Sequence, residues 1–512
     1  MLRYLPTLRQ LVFWGGLVLL TAGIPYGVMA YRFWNNPPKL SRNIAAELNA
    51  PVLAIPDDQK AWPIYREASM ALSIDGPDQW KSRDEFRTYA YDEQVASFLK
   101  RKEADLERAR QASKLPSLGH LLADEYTAED LEFTRRFYVN DGKKLNPPQA
   151  KEPSENPILL HVLLTPAGEL HDVTQALAAR AWIAAREGDG KAVAENLEAS
   201  IRIAGQIREI PMLVNDLVAS RVYGNALKLW GAVLAEYSDV LSDDQLIRLE
   251  KTAREFADGK LLLRTIAERG AFYDLLQRIY TDDGEGDGYV YLPNVGMLDG
   301  GRPNDDWYTR LIAPLATSNL GSRREAARAY DELMTLLEAE IVRPFWECDC
   351  RRYDAAVSAY EGNKQYGLVT LMATSAHRIH TIGRDAVQQR DATLTASALV
   401  RFRRKHGKWP TTLESLVPEY LAKLPLDELT GKPLRYRITD SRPRLYSVGF
   451  DGVDDQGQAG SVESNIFGLS GPIPWEWSFA AGIQAQPKGD FILWPTDFSH
   501  IEPPPPIDPY VP

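Results

Sequence analysis

The stretch DVTQALAARAWIAAREGDGKAVAENLEASIRIA, residues 172–204, decides the fold class. Val173, Leu177, Ala181 and Ala184 recur at helical spacing, Glu187-Gly188-Asp189-Gly190 breaks the chain, and Val193, Leu197, Ile201 and Ala204 resume the period. Apolar residues three and four apart line one face of a helix, and a Gly-Asp-Gly break between two such stretches turns the chain back. The reading is a helical hairpin.

On both sides of this hairpin, the sequence from Pro56 to Gly383 alternates helix-period stretches, rich in Ala, Leu, Glu and Arg, with polar breaks, and it reads as all-α. The string AAREGDGKAVAENLEASIRI resembles the turn and second helix of a tetratricopeptide unit. The likeness covers one unit, without a repeat of about 34 residues on either side, so no regular array is expected. Ser242-Asp243-Asp244-Gln245 and Ser322-Arg323-Arg324-Glu325 are capping boxes that open two more helices. Two loops interrupt the helices. Asp141 to Pro157 carries Pro147, Pro148, Pro153 and Pro157 and reads as an extended connection. Thr281 to Asp306 opens with Asp282-Asp283-Gly284-Glu285-Gly286-Asp287-Gly288, in which Asp283, Glu285, Asp287 and Gly288 imitate the start of an EF-hand loop. The bidentate Glu that closes such a loop is replaced by Asn294, so the segment reads as a solvated acidic loop.

At the other side of this region, Leu11 to Ala30 reads LVFWGGLVLLTAGIPYGVMA without a charge. An uncharged helix of that length covers a hydrocarbon core of about 30 Å. Trp14, Tyr26 and Trp34 lie near its ends, where amphipathic rings favour the headgroup layer. Two readings stand. In one it is a signal peptide with Arg3 and Arg9 in front and Val28-Met29-Ala30 as the cleavage site. In the other it is an uncleaved anchor, the expectation kept here because the apolar run exceeds the usual signal-peptide core. Both place the bulk of the chain outside the cytoplasm. Charge on the two flanks, Arg3 and Arg9 against Arg32, Lys39 and Arg42, does not by itself fix the orientation.

The chain has 512 residues and a net charge of −11, with 59 basic and 70 acidic residues. That balance repels phosphate backbones, and no basic stripe interleaved with aromatics offsets it, so no nucleic-acid partner is expected. Cys348 and Cys350 are the only cysteines, which excludes a disulfide scaffold and a four-cysteine metal centre. With His377 and His380 they supply four metal-ligand types, yet Cys-x-Cys and His-x-x-His are not the spacings of structural zinc, and the thiols read as a surface or weakly redox-active pair. Phosphate-binding glycine loops, a Gly-x-Ser-x-Gly elbow and a His-Glu-x-x-His helix are missing from the sequence. Glu268, Arg269 and Asp274 fall on a helix expected over Lys260 to Tyr280, where they would pair across turns.

From Ala386 the pattern changes. Leu394, Ala398, Leu399 and Phe402 form one stripe of a helix that ends in Arg401, Arg403, Arg404 and Lys405, cations suited to a helix C-terminus. Short elements follow: a helix at Leu413 to Val417, antiparallel strands at Leu434 to Ile438 and Arg444 to Val448 around a turn at Asp440 to Pro443, and a final strand at Asp490 to Trp494. The strings HGKWPTTLESLVPEYLAKLPLDELTGKPLRYR and YSVGFDGVDD, in this order after a basic helix end, resemble the globular domain of the type II secretion major pseudopilins. The resemblance runs from about Ala386 to Asp455. It implies a helix-plus-meander fold and a calcium ion in the acidic loop, with Asp451, Asp454 and Asp455 as the metal ligands. Clustered carboxylates on a Gly-containing turn are suitable hard donors, and a plain Asx turn is the alternative reading of the same residues. The resemblance does not extend to filament assembly, because no acidic residue precedes Glu47 and the module stands far from the apolar helix. The whole arrangement resembles large single-anchor bacterial proteins with a helical middle, a likeness that implies no activity.

The expected protein is mostly α. Residues 1–36 form the signal or transmembrane anchor, 37–383 an all-α domain of helical hairpins, partly tetratricopeptide-like, 384–497 a small α+β pseudopilin-like module, and 498–512 a Pro-rich tail. It is expected to be a single-pass protein of a bacterial cell membrane with its bulk outside the cytoplasm. Its expected role is non-catalytic binding or scaffolding in secretion or envelope assembly, with protein partners on the helical domain. The alternative is an extracytoplasmic metal-dependent hydrolase built on the 282–287 loop with Glu268 and Arg269, and the sequence leaves enzymatic activity open.

Overall fold

A computed structural model describes residues 7–72, 93–132, 154–256, 263–301, 303–304, 306–349, 351–373, 376–449, 452–458, 462–464, 471–473 and 489–495. The chain is mostly helical, with a small three-stranded sheet near its C-terminal end. In order the helices are α1 (Leu8–Val18), α2 (Ile24–Asn35), α3 (Ile44–Leu53), α4 (Trp62–Leu72), α5 (Glu93–Arg101), α6 (Glu103–Ala112), α7 (Thr165–Glu187) and α8 (Gly190–Ile207). They continue with α9 (Leu213–Glu236), α10 (Asp243–Phe256), α11 (Ile266–Ile279), α12 (Trp307–Ala316), α13 (Arg323–Ile341), α14 (Arg351–Glu361), α15 (Gly367–Leu371) and α16 (Ala376–His406). The proline-bearing positions 147, 148 and 153 and the Pro-rich tail lie outside the described residues.

A π turn, Leu19–Gly23, joins α1 to α2, so the helix runs without a break from Leu8 to Asn35. Pro25 has no N–H to give to the preceding turn, and the helix widens there. Its segment Val12–Asn35 has a mean hydropathy of 1.6 over its most apolar window and is long and apolar enough to span a membrane. The last turn is built into the body: Phe33 is buried and stacks on Tyr291 at 5.4 Å, and Trp34 meets the same ring edge-on.

At the centre α7 and α8 run antiparallel. Gly188 ends α7 with φ +78°, a conformation that costs a glycine little, and the Asp189 side chain then accepts the backbone N–H of Ala192 at 3.0 Å to start α8. Val193, Leu197, Ile201 and Ala204 are all buried on the inner face of α8. A side chain at Gly190 would put its Cβ 1.9 Å from the Val240 carbonyl oxygen, so only glycine lets α8 start this close to the turn before α10. Tyr223 of α9 stacks on Phe256 of α10 at 4.1 Å and donates its hydroxyl to the Ala253 carbonyl at 2.6 Å. Phe272 of α11 stacks on Tyr330 of α13 at 3.9 Å, and α13 starts with a complete capping box between Ser322 and Glu325.

Helix α16 runs across residue 384 and lies along α9, with Leu394, Ala398 and Leu399 buried. Arg384 holds Glu428 through two parallel hydrogen bonds of 2.7 Å, and Gly431 (φ +69°) packs so close to Trp346 that a Cβ would lie 2.9 Å from its indole. Strands β1 (Arg435–Thr439) and β2 (Arg442–Ser447) form an antiparallel hairpin. Its two turn residues, Asp440 and Ser441, both take positive φ, as a two-residue hairpin turn requires. A short ladder of β3 (Val462–Ser464) with β4 (Gly471–Ile473) follows, an element absent from the sequence reading, and β5 (Phe491–Trp494) pairs antiparallel with β2. Trp494 is buried and donates its indole N–H to the Gly231 carbonyl of α9 at 2.8 Å. Leu445, Leu493 and Trp494 thereby belong to the same apolar core as the helices.

Candidate functional site

The acidic turn after β2 is built on glycines. Gly449 (φ +71°) sits where a Cβ would lie 2.5 Å from the Gly489 carbonyl oxygen, which brings the turn against the start of β5. Asp454 accepts the Tyr446 hydroxyl at 3.0 Å and the Gln456 N–H at 2.9 Å, an Asx-type arrangement, and its second oxygen stands 3.7 Å from Arg435 Nε. Asp455 is half-buried, and its carbonyl accepts the Gln458 N–H at 3.2 Å. Asp451 lies outside the described residues.

Asp490 enters this turn from β5's side and is a residue the sequence reading placed in a strand, not in a site. It is buried, accepts the Gly457 N–H through Oδ2 at 2.6 Å, and its Oδ1 has no hydrogen-bond partner among the described residues. Burial raises its carboxyl above the usual range, and the nearby charges of Asp454 and Asp455 raise it further against the backbone N–H groups that favour the anion. Hard oxygen donors and an orphaned buried carboxylate oxygen match what a cation such as calcium binds. Among the described residues no three His, Cys, Asp or Glu side chains form a group that could hold a metal ion.

The 282–287 loop uses its carboxylates on its own backbone and on α13. Asp283 Oδ1 accepts the N–H groups of Glu285 at 2.8 Å and Asp287 at 3.0 Å, and Asp287 Oδ1 accepts the N–H of Arg324 in the first turn of α13 at 3.1 Å. Asp282 stands 3.3 Å from Arg323 Nη1. Glu268, Arg269 and Asp274 each engage different partners. Arg269 reaches across to Asp331 at 2.7 Å and Glu338 at 2.9 Å on α13. Asp274 is buried with Arg278 at 3.0 Å, and it also accepts the N–H of Leu159 at 3.0 Å. No hydrogen bond or ion pair among the described residues joins the loop to Glu268 or Arg269.

Glu268 does something the sequence did not signal. Its Oε1 accepts the Leu213 N–H at 2.5 Å and so caps α9, whose own cap residue, Met212, has no side-chain acceptor. Burial pushes the Glu268 carboxyl up to about 7. Beside it Asp216 is buried and receives Arg264 through Nη2 at 2.7 Å and the Arg264 backbone N–H at 2.8 Å. The adjacent Asn215 is fully buried with no partner for its amide among the described residues. Cys348 is half-buried, Cys350 lies outside the described residues, and His380 Nε2 is 2.9 Å from the Arg343 carbonyl.

A groove of about 700 Å³ lies between the end of α6 and helices α8 and α10. Lys114, Glu195, Glu198, Arg202, Arg248 and Phe256 are among the residues along it. Glu198 is buried and meets Arg248 in a short ion pair and Arg202 at 3.4 Å, so the walls carry both signs of charge around an apolar strip. Comparison with protein families, curated proteins and solved structures gave no match to this chain.

Proposed function

We propose that the protein is exported and held at a bacterial membrane by an uncleaved N-terminal helix, and that it serves there as a binding or scaffold component, in secretion or envelope assembly. The observation that carries this reading is the docking of the apolar helix on the body. Tyr26 donates its hydroxyl to the Leu311 carbonyl at 2.5 Å, and Phe33 is buried against Tyr291. Cleavage after Ala30 would discard the first of these contacts. The mixed-charge groove between α6, α8 and α10 is the surface on which a protein partner would seat.

The test uses the full chain in cells, with a photoreactive amino acid in place of Lys114. The reading expects a protein adduct of defined mass in the carbonate-washed membrane fraction, together with a proteolytic peptide that retains Ile24 to Asn35. A mature N-terminus at Tyr31, or the absence of any adduct from the groove, contradicts it.

As a second reading, the acidic turn binds calcium, with Asp451, Asp454 and Asp455 joined by Asp490. The orphaned oxygen of Asp490 favours it. The bound ion would relieve the repulsion among these carboxylates and tie the turn to β5.

A further inference from the structure

Helix α12 is turned inside out relative to a helix of a water-soluble surface. Thr309, Ala313 and Pro314 face the body and are buried, while Trp307, Tyr308, Leu311 and Leu315 face outward and are 76%, 56%, 54% and 59% exposed. Those outward positions recur at helical spacing, so the apolar stripe that a soluble helix buries is presented to the surroundings. Asp306 fixes the start of the helix by accepting the Thr309 N–H at 2.6 Å, and the only charge within it is Arg310.

Its position decides what covers this face. The helix packs on α2, and the Tyr26 hydroxyl reaches the Leu311 carbonyl. With a rise of about 1.5 Å per residue, Tyr26 lies roughly 6 Å below the end of the uncharged run at Ala30. Headgroup layers are only a few ångströms thick, about 40–45 Å for the whole bilayer against about 30 Å of hydrocarbon. If the bilayer surface lies where the uncharged run ends, at Ala30, the segment of α12 that touches Tyr26 is at the acyl–headgroup boundary. On α2, against which α12 packs, Ile24, Val28 and Tyr31 are exposed as well. Trp and Tyr at the start of α12 are the side chains that favour this layer, apolar in body and polar at one end.

We propose that α12 is a second membrane contact, lying in the acyl–headgroup boundary of the bilayer that holds the N-terminal helix, with Trp307, Tyr308, Leu311 and Leu315 turned to lipid. The proposal rests on the anchored reading above. An interfacial helix of this kind restrains the tilt of the body on the membrane, because a second contact limits the swivelling that one contact allows. The groove between α6, α8 and α10 would then face a constant direction.

The experiment places a diazirine amino acid in turn at Leu311, Leu315, Val18 and Ile247 of the full chain, reconstituted in vesicles of phosphatidylethanolamine and phosphatidylglycerol. Val18 reports the anchor, and Ile247 is an exposed apolar residue of α10 that serves as the water-facing reference. After illumination, lipid adducts are expected at Leu311 and Leu315 in yields similar to those at Val18, with loss of the lipid adduct at Ile247. Lipid adducts at Val18 but not at Leu311 and Leu315 overturn the proposal and leave the anchor standing. Chain-to-chain adducts from Leu311 overturn it in favour of a second copy as the occupant. No lipid adduct at Val18 overturns the anchored reading itself, and the proposal with it.

Discussion

The indole N–H of Trp494 donates to the main-chain carbonyl of Gly231 at 2.8 Å, tying the last strand of the sheet to the C-terminal part of α9. The ring is buried, with Trp409 edge-on at 6.1 Å. Trp494→Phe keeps most of the apolar contact and removes the hydrogen bond, at an expected cost of about 1 kcal/mol. Trp494→Ala opens a cavity and is expected to cost about 3–5 kcal/mol. Urea unfolding of both variants beside the wild type checks the difference. Equal stabilities would mean that the sheet contributes nothing to the helical body.

Glu268 gives the stability a pH dependence of definite sign. Burial raises its carboxyl from 4.5 to about 7, so between those values the folded chain holds more of the proton than the unfolded chain. Stability therefore falls as pH rises through that window, and the penalty is complete above it. Glu268→Gln keeps an oxygen for the Leu213 N–H and cannot ionise. At about 1.4 kcal/mol per pKa unit, the variant is expected to be more stable than wild type by up to roughly 3 kcal/mol at pH 8, with the gain shrinking towards pH 5. Melting curves at the two pH values measure it, and a gain of equal size at both would show that Glu268 titrates normally.

Much of the helical architecture was legible because it rests on local patterns. The stripe Val193, Leu197, Ile201, Ala204 needs only a 3.6-residue period, the Ser322 to Glu325 box needs only four residues, and the hairpin needs only its flanking strands, although the turn expected over Asp440 to Pro443 is tighter, with Arg442 and Pro443 already paired in β2. What was not legible depends on distant partners. Glu268 acts on Leu213 and Trp494 on Gly231, and no spacing rule connects residues so far apart in the chain. Asp490 read as the first residue of a strand, and only the fold brings it beside Asp454 and Asp455. The outward face of α12 was missed because an apolar stripe in sequence does not say which way it points.

The pair Asp274 and Arg278 should be costly to split and cheap to remove together. Arg278 is buried and, besides Asp274, donates to the carbonyls of Asn156 at 3.0 Å and Pro157 at 3.1 Å. Asp274→Ala leaves this cation and the Leu159 N–H uncompensated, and is expected to cost about 3–5 kcal/mol. Asp274→Ala combined with Arg278→Met should recover part of that loss. Denaturant midpoints of the single and double variants test it, and simple additivity would contradict a coupled pair.

The calcium reading is tested on the full chain by its melting temperature with calcium and with chelator. An ion that binds only the folded turn raises the midpoint by mass action. The rise should disappear in Asp490→Asn and in Asp451→Ala. Equal midpoints for the wild type under both conditions would leave Asp454 as the centre of an Asx turn without an ion.

Whether the body stands outside the cytoplasm on a membrane-held N-terminal helix is read from protease treatment of intact spheroplasts carrying the full chain with a C-terminal epitope. Protease is expected to remove the epitope without detergent, while a fragment containing Val12 to Asn35 stays with the membranes after a carbonate wash. An epitope that survives until the membrane is opened, or a chain that carbonate releases entirely, would contradict it.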